Sequence, residues 1–267
     1  MPPSTTTKAT TAPPWSPLFK SHLTSPSNKS KSFTLATVTT TKDGTPVPRS
    51  RTCELRGFFP EVFSLHRSAA DALEAQGIGR NPDGRFESDM PVFTTDVRMS
   101  KLGELGVSGG VVEGVFWLEG VGVQWRVRGR SFVFGGGDNG DEDEEGGRGE
   151  VWSGVRVKDQ TDQKENDWDW ERMVTTYFAS HSPVMRGSFR NPPPGQPRSV
   201  NPDDLKIGDK VEDLKDPIAR KNFRVVVIRP DEVEMLDLST APDAVRKRWT
   251  VVRDGQEEKW EEMELWP

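Results

Sequence analysis

Five side chains in the stretch Pro91–Leu102 are of the types that bind a phosphate monoester. Two hydroxyls end a predicted strand, and a hydroxyl and two cations follow where a helix is expected to begin: Thr94, Thr95, Arg98, Ser100 and Lys101. A helix N-terminus favours an anion through its backbone N–H groups, and Arg and Lys add charge-assisted hydrogen bonds. A strand, a turn and a solvated basic helix start would show the same residues without any ligand. This stretch alone therefore leaves both interpretations open.

Three arginines precede this stretch in another predicted strand, Pro46–Phe58. Arg49 and Arg51 lie on one face of that strand because side chains alternate, and Arg56 follows them. A tight turn at Lys42–Gly44 leads into the strand. Such a set of arginines suits a solvent-exposed face, and it also suits an anionic ligand beside the hairpin.

The composition indicates a folded core diluted by polar segments. Only 33% of the 267 residues are apolar and the mean hydropathy is -0.68, yet nine Trp and thirteen Phe supply large areas to bury. The length suits one large domain or two small ones. A net charge of -6 gives no basic field to recruit nucleic acid, so we expect no nucleic-acid partner.

Cysteine usage and the absence of targeting signals predict a cytoplasmic protein. Cys53 is the only cysteine, which excludes an intrachain disulfide and a cysteine-cluster metal site. No apolar run reaches the ~18 residues of a membrane span, so we expect no membrane partner. Residues 1–14 are rich in Thr and Pro, lack the apolar centre of a signal peptide, and are predicted to be a disordered tail. The three histidines are too scattered to propose a metal site: His22, His66 and His181.

Hydrophobic periodicity predicts a mainly β (α+β) domain over residues 15–267. Amphipathic helices are predicted at Trp15–Leu23, Ser64–Gln76 and Trp168–Ser180. Neighbouring strands joined by short turns indicate an antiparallel meander or barrel. The main predicted strands are Phe33–Val38, Pro46–Phe58, Val111–Leu118, Val121–Phe134, Val151–Val157, Phe223–Arg229, Val233–Leu238, Arg248–Arg253 and Trp260–Leu265.

Two segments interrupt this pattern and are predicted insertions, 59–90 and 135–150. The second contains, from Gly135 to Gly140, the glycine spacing of a dinucleotide-binding loop. We reject that function because no helix is predicted to follow, and because Asp141–Glu145 would repel a pyrophosphate. Gly135–Glu150 is instead predicted to be a flexible acidic loop within a hairpin.

Taken in order, these motifs resemble the pyridoxamine 5′-phosphate oxidase-like flavoproteins, and most closely the branch with an Alr4036-type FMN-binding domain. The resemblance covers roughly residues 15–267, and the number, order and spacing of its motifs make it specific. The motifs that carry it are Phe33–Val38, Asp43–Gly44, Arg51–Phe58, Phe93–Lys101, Gln124–Arg130 and Ile228–Glu234.

The resemblance implies an FMN-binding split β-barrel with short flanking helices, which forms a homodimer with the flavin at its interface. It implies that Gln124 reaches the flavin from the partner subunit. The implied contacts of the ribityl chain and the isoalloxazine edge are Arg51, Thr52, Cys53 and Glu54. It implies that Thr94 and Thr95 contact the flavin through hydroxyl and backbone groups, and that Arg98, Ser100 and Lys101 are the candidates to bind its phosphate.

Three departures from the family pattern bear on the reaction. Glu54 stands where the family usually has an apolar residue, and Leu236 stands where its oxidases have a tryptophan over the flavin. Val245–Trp249 lacks the histidine of an Arg-x-His pair that binds pyridoxal phosphate in those oxidases. The candidate substrate-binding residues are Arg186, Arg246 and Arg248.

The resemblance implies two possible functions. It does not indicate which residues would be catalytic. The leading hypothesis is an FMN-dependent oxidoreductase that moves a hydride from a small-molecule substrate to the flavin, with reoxidation by oxygen or another acceptor. The alternative is a flavin-binding carrier or sensor without robust pyridoxamine phosphate oxidase activity.

Overall fold

The computed structural model describes residues 11–82, 84–136, 142–158, 168–200, 207–240, 242–254 and 257–267, and it is mainly β, as predicted. The helices are α1 (Ser16–Thr24), α2 (Arg67–Ala75), α3 (Ser100–Val107), α4 (Glu142–Ser153), α5 (Trp170–Ala179), α6 (Pro183–Gly187) and α7 (Pro217–Asn222). The strands are β1 (Ser32–Thr40), β2 (Pro46–Glu54), β3 (Gly57–Phe58), β4 (Glu61–Val62), β5 (Phe86–Glu87), β6 (Pro91–Asp96), β7 (Val111–Leu118), β8 (Val123–Phe134), β9 (Arg156–Val157), β10 (Phe223–Asp237), β11 (Val245–Asp254) and β12 (Glu257–Leu265).

The described chain forms two compact units. The first comprises Arg56–Gly103 and Phe132–Val227, and the second comprises residues 11–55, 104–131 and 228–267. The helix α3 and the strands β8 and β10 each contribute residues to both units.

The first unit is built on an antiparallel sheet in the order β10–β6–β3–β4. Its β6 strand pairs Thr94 with Val225, so the strand that carries the first two candidate hydroxyls is held in a central position. The helix α5 is preceded by its N-cap Asp169, whose side chain accepts a hydrogen bond from the Arg172 N–H. Its apolar face, including Tyr177 and Phe178, is buried in the aromatic core of this unit.

The second unit is an antiparallel sheet in the order β2–β1–β7–β8–β10–β11–β12. The helix α1 packs on it through Phe19, whose ring lies 5.1 Å from that of Trp125, and Trp125 stacks on Trp249 at 5.8 Å. A Cβ added at Gly129 on β8 would lie 2.1 Å from the carbonyl oxygen of Arg229, so only glycine allows this close approach to β10.

The structure corrects the prediction for the acidic segment. Gly135–Glu150 was predicted to be loop and Val151–Val157 to be strand, but residues 142–153 form α4 and only Arg156–Val157 is extended. Val151 and Trp152 are buried in the first unit, and Trp152 packs on Phe86 at 5.1 Å. Burial of this apolar end stabilises a helix that its glycines disfavour locally. The glycine-rich residues 137–141 and the tail residues 1–10 lie outside the described residues.

The last strands also differ from the prediction in one respect. Phe223–Arg229 and Val233–Leu238 were predicted as separate strands, but β10 runs continuously from Phe223 to Asp237. Pro230 lies within it and is buried, and the strand continues to pair with β11 beyond that residue.

Candidate functional site

The turn between β6 and α3 brings one pair of the predicted site residues into contact, Thr95 and Lys101. Lys101 is buried, and its Nζ donates to Thr95 Oγ1 at 2.9 Å and contacts Met99 Sδ at 2.8 Å. Ser100 is exposed at the first residue of α3. The hydroxyl of Ser100 and the ammonium of Lys101 belong to the first turn of this helix, in which the Leu102 N–H donates to the Met99 carbonyl at 3.1 Å.

Arg98 is engaged by protein groups on several sides. Its Nε and Nη2 donate to the buried Asp96 carboxylate at 2.9 and 2.6 Å. Its Nη1 donates to the Asn191 carbonyl at 2.8 Å, and Nη2 also reaches the Phe189 carbonyl at 3.2 Å. These bonds tie the turn to residues 189–191. They support a structural role for Arg98, and its predicted contact with a phosphate stays a prediction.

Thr94 is held by a buried histidine. His181 Nε2 lies 2.9 Å from Thr94 Oγ1, and its Nδ1 lies 3.1 Å from Arg56 Nη2. Because a guanidinium only donates, Nδ1 must accept, so we infer a neutral ring with its proton on Nε2 that donates to Thr94. Burial lowers the pKa of His181 to about 3, and the positive charges of Arg56 and Arg186 act in the same direction. The Thr94 hydroxyl hydrogen thus points away from the histidine.

We expect His181 to make stability depend on pH. Its pKa is about 3 in the folded chain against an ordinary value of 6.5, so below pH 6.5 the unfolded chain binds a proton that the folded chain excludes. Stability contributed by this residue is therefore lost as pH falls through the window from 6.5 to 3, by about 2 kcal/mol between pH 7 and pH 5. Urea unfolding at both pH values should show a smaller loss in His181→Gln than in the wild type. Equal losses would contradict a buried neutral histidine.

In the second unit, β2 carries the other predicted run of cofactor-binding residues. The Arg51 guanidinium donates to Thr37 Oγ1 at 2.5 Å and to the buried carboxylate of Glu104, which also accepts from Thr37 at 2.5 Å. Arg51 is thereby held in place by groups from β1 and α3. Cross-strand pairing aligns Thr52 with Thr34, Cys53 with Phe33, and Glu54 with Ser32, whose hydroxyl donates to Glu54 at 2.8 Å.

Gln124 lies on β8 opposite Trp117 of β7. Its side chain is half-buried, and the neighbouring indole of Trp117 is 51% exposed.

Two predicted substrate-binding residues meet at one carboxylate of the second unit. Arg246 Nη2 donates to Glu234 Oε1 at 2.6 Å, and Arg248 Nη2 donates to Glu234 Oε2 at 3.1 Å. Burial alone would raise the pKa of Glu234, but the hydrogen bonds from Arg246 and Arg248 and the charge of Arg126 outweigh it and lower the pKa. The carboxylate lies in an open depression lined by Arg126, Arg128, Arg246, Arg248, Glu113, Glu232 and Glu234.

Arg186, the third predicted substrate-binding residue, is buried in the first unit. Its guanidinium donates to the carbonyls of Val211 at 2.8 Å, His181 at 2.7 Å and Ala179 at 3.3 Å. These bonds support a structural role for Arg186, and its binding of a substrate stays a prediction.

Two carboxylates important to these clusters, Glu104 and Glu234, were not recognised from the sequence. Glu232 and Glu234 alternate with buried apolar residues on β10, while Arg126 and Arg128 alternate likewise on β8. Acidic residues on one strand and basic residues on a neighbouring strand, each repeating every second position, could have indicated these cross-strand ion pairs. Glu104 gave no such signal, because its partners lie on distant strands.

The described ranges offer neither a metal site nor a membrane-spanning helix. No group of three or more His, Cys, Asp or Glu side chains there is arranged to hold a metal ion. No helix in this part of the chain is both long and apolar enough to cross a membrane.

The groups at the start of α3 suit a phosphate monoester in their chemistry. A hydroxyl, an ammonium group and the amides of a first helical turn are all donors, and the adjacent Asp96 carboxylate is neutralised by Arg98. Of the three predicted phosphate ligands, Ser100 and Lys101 therefore fit better than Arg98.

Comparison with known proteins supports the resemblance seen in the motifs. Residues 12–135 match the model of the family described as pyridoxamine 5′-phosphate oxidase, FMN-binding domain. A search of curated proteins finds no significant match.

Solved structures show the fold. A pyridoxamine 5′-phosphate oxidase-related, FMN binding protein from Nostoc punctiforme PCC 73102 aligns with a TM-score of 0.59 at 18% identity, over 97% of this chain and 100% of its own. PhzG from Burkholderia lata 383, in complex with tetrahydrophenazine-1-carboxylic acid, aligns with a TM-score of 0.44 at 18% identity, over 96% of this chain and 94% of its own. The first likeness confirms the predicted split-barrel class, and the second score is too low to support an argument.

The assignment to the Alr4036-type branch stays a prediction. The broader resemblance to the pyridoxamine 5′-phosphate oxidase-like proteins is confirmed, because residues 12–135 match the model of that family's FMN-binding domain.

Proposed function

We propose that the protein binds FMN and acts as an FMN-dependent oxidoreductase. The observation that carries the proposal is the match of residues 12–135 to an FMN-binding domain, with phosphate-type donors at the start of α3 within that range. A bound flavin would supply the redox chemistry, accepting a hydride from a small substrate and passing electrons to oxygen or another acceptor.

The residues of this chain would bind and orient the cofactor. In the first unit, Ser100 and Lys101 would hold its phosphate, and Thr94, oriented by His181, would offer its hydroxyl hydrogen. In the second unit, Glu104 fixes the Arg51 side chain. The roles that the resemblance implies for the other candidates of that unit are retained as proposals: Thr52, Cys53, Glu54 and Gln124.

Anaerobic spectroscopy tests the proposed activity. FMN-loaded protein is mixed with candidate reductants, and the flavin absorbance is followed before and after oxygen is admitted. If the protein is an oxidoreductase, at least one small-molecule electron donor should bleach the absorbance of its flavin, and oxygen should restore that absorbance. Failure to bleach with every donor, in protein that retains FMN, would favour the alternative of a carrier or sensor.

That alternative is favoured by one observation. Arg246 and Arg248, the residues nearest to the family's Arg-x-His position, are both bonded to Glu234. An arginine pair occupied by an internal carboxylate provides no obvious clamp for a substrate phosphate.

We accordingly expect weak or absent oxidation of pyridoxine and pyridoxamine 5′-phosphates. These substrates carry a phosphate of their own, and without a clamp their reacting carbon is not held within about 3.5 Å of the flavin. Oxygen consumption by FMN-loaded protein checks this. Turnover near the ~10 per second that is typical of enzymes would show that Val245–Trp249 forms a competent substrate site.

We also propose a homodimer with the flavin at its interface. The exposed Trp117 beside Gln124 supports an interface on this face of the second unit. Sedimentation of FMN-loaded protein should show a dimer, and Trp117→Lys should shift it towards monomer. A monomer that retains stoichiometric FMN would contradict the proposal.

A further inference from the structure

Three arginines of the second unit converge on one buried side chain. Glu234 is 6% exposed, although it lies on the charged face of β10. Arg246 and Arg248 donate to its two oxygens, and Arg126 Nη1 lies 3.5 Å from Oε1. Both carboxylate oxygens are therefore held by cations contributed by neighbouring strands.

The fourth arginine of the depression is also paired. Arg128 lies 3.1 Å from Asp231 and 3.6 Å from Glu232, and Arg248 lies 3.9 Å from Glu232. The positive charge of the arginines is thus balanced by carboxylates of the same sheet. Glu234 is the most enclosed of them, with a side chain only 7% exposed against 23% for Glu232 and 37% for Asp231.

We propose that this depression is an anion-binding site that Glu234 fills from within, so that Glu234 excludes ligands bearing a phosphate or carboxylate group. An arginine cluster of this geometry suits an oxyanion, since guanidinium groups bind carboxylate and phosphate alike. Because the Glu234 carboxylate is part of the chain, it competes with a free anion for these arginines at an effective concentration in about the millimolar range or above. A free anion must displace it and must leave it buried without a partner, which is costly.

Glu234 also remains charged over a broad pH range. Burial opposes ionisation, but the hydrogen bonds from Arg246 and Arg248 lower its pKa below the ordinary carboxyl value. Mild acidification therefore does not release the arginines from Glu234.

Every group that lines the depression belongs to the second unit, and none is a proposed FMN-phosphate ligand, so this site is independent of flavin binding. A compound without an anionic group meets no competition from Glu234 there, whereas a phosphate ester does.

Calorimetric titration with inorganic phosphate tests the proposal in the full-length protein, at pH 7 and constant ionic strength balanced with sodium chloride. Glu234→Gln keeps the shape of the side chain and removes its charge. We expect its dissociation constant for phosphate to be at least about tenfold lower than that of the wild type. The matched control is Glu232→Gln, which makes the same charge change in the same depression but should bind phosphate no better than the wild type.

Two further variants keep the test decisive. Glu234→Gln combined with Arg246→Gln should lose the gained affinity. Glu234→Asp retains the charge while shortening the side chain, and should show a smaller gain if Glu234→Gln fails to fold. The proposal is overturned if neither single variant at Glu234 gains phosphate affinity, if Glu232→Gln gains as much, or if the wild type already binds phosphate as tightly. FMN affinity, measured on the same samples, separates these outcomes from failure of the proposed cofactor binding.

Discussion

Replacing Lys101 with methionine should weaken FMN binding by about 10- to 100-fold and leave riboflavin binding almost unchanged. The Lys101 ammonium lies beside the first turn of α3, held by Thr95 Oγ1 at 2.9 Å. A hydrogen bond to a charged group contributes roughly 1.5–3 kcal/mol, and only FMN carries the phosphate that would accept it. Methionine preserves the length of a side chain that is only 9% exposed. Calorimetric titration with both ligands measures the difference.

The matched control for this change is Lys42→Met, which alters an exposed lysine in a turn of the second unit. It removes the same charge and should alter neither affinity by more than about twofold. If Lys101→Met weakened the binding of FMN and of riboflavin equally, Lys101 would stabilise the fold of the turn rather than contact a phosphate. Ser100→Ala should show the same selectivity as Lys101→Met, with a smaller loss.

Replacing Arg98 with alanine should destabilise the protein by about 3–5 kcal/mol, because it removes one partner of a buried ion pair. Asp96 is 4% exposed, and the Arg98 guanidinium donates to both of its oxygens and to two carbonyls. Without Arg98 the Asp96 carboxylate would stay buried with its charge uncompensated. Urea unfolding at pH 7 gives the free-energy difference directly.

Arg190→Ala provides the comparison for Arg98. Arg190 lies 3.5 Å from Asp216 and its side chain is 36% exposed, so loss of that more exposed pair should cost below about 1 kcal/mol. Arg98→Lys, which keeps the charge but not the planar fork, should fall between the two alanine variants. If Arg98→Ala lowered the free energy of unfolding by as little as Arg190→Ala, the structural role assigned to Arg98 would be wrong.

Alternation of apolar and polar residues was sufficient to predict most strands of this chain. β1, β7 and β8 lie within about two residues of their predicted bounds, because each buries one face and exposes the other. The helix α4 could not be predicted in the same way. Its glycines disfavour a helix locally, and its buried apolar end packs against Phe86 and Trp168, which are distant in sequence.

Side-chain roles were harder to predict than strands. The sequence places Arg98 and Lys101 together, but it does not show that Arg98 is held by Asp96 and by the carbonyls of residues 189 and 191. Likewise, the sequence alone does not show that Arg246 and Arg248 of β11 both form ion pairs with Glu234 of β10. Hydrogen-bond partners that come from remote segments decide whether a cation is available to a ligand.

Titration of the purified full-length protein with FMN, followed by flavin fluorescence and absorbance, tests the central claim most directly. We expect saturable binding at one FMN per chain, with riboflavin bound at least about tenfold more weakly, since it lacks a phosphate for charge-assisted hydrogen bonds. Absence of saturable FMN binding, in protein shown by its cooperative unfolding to be folded, would contradict it.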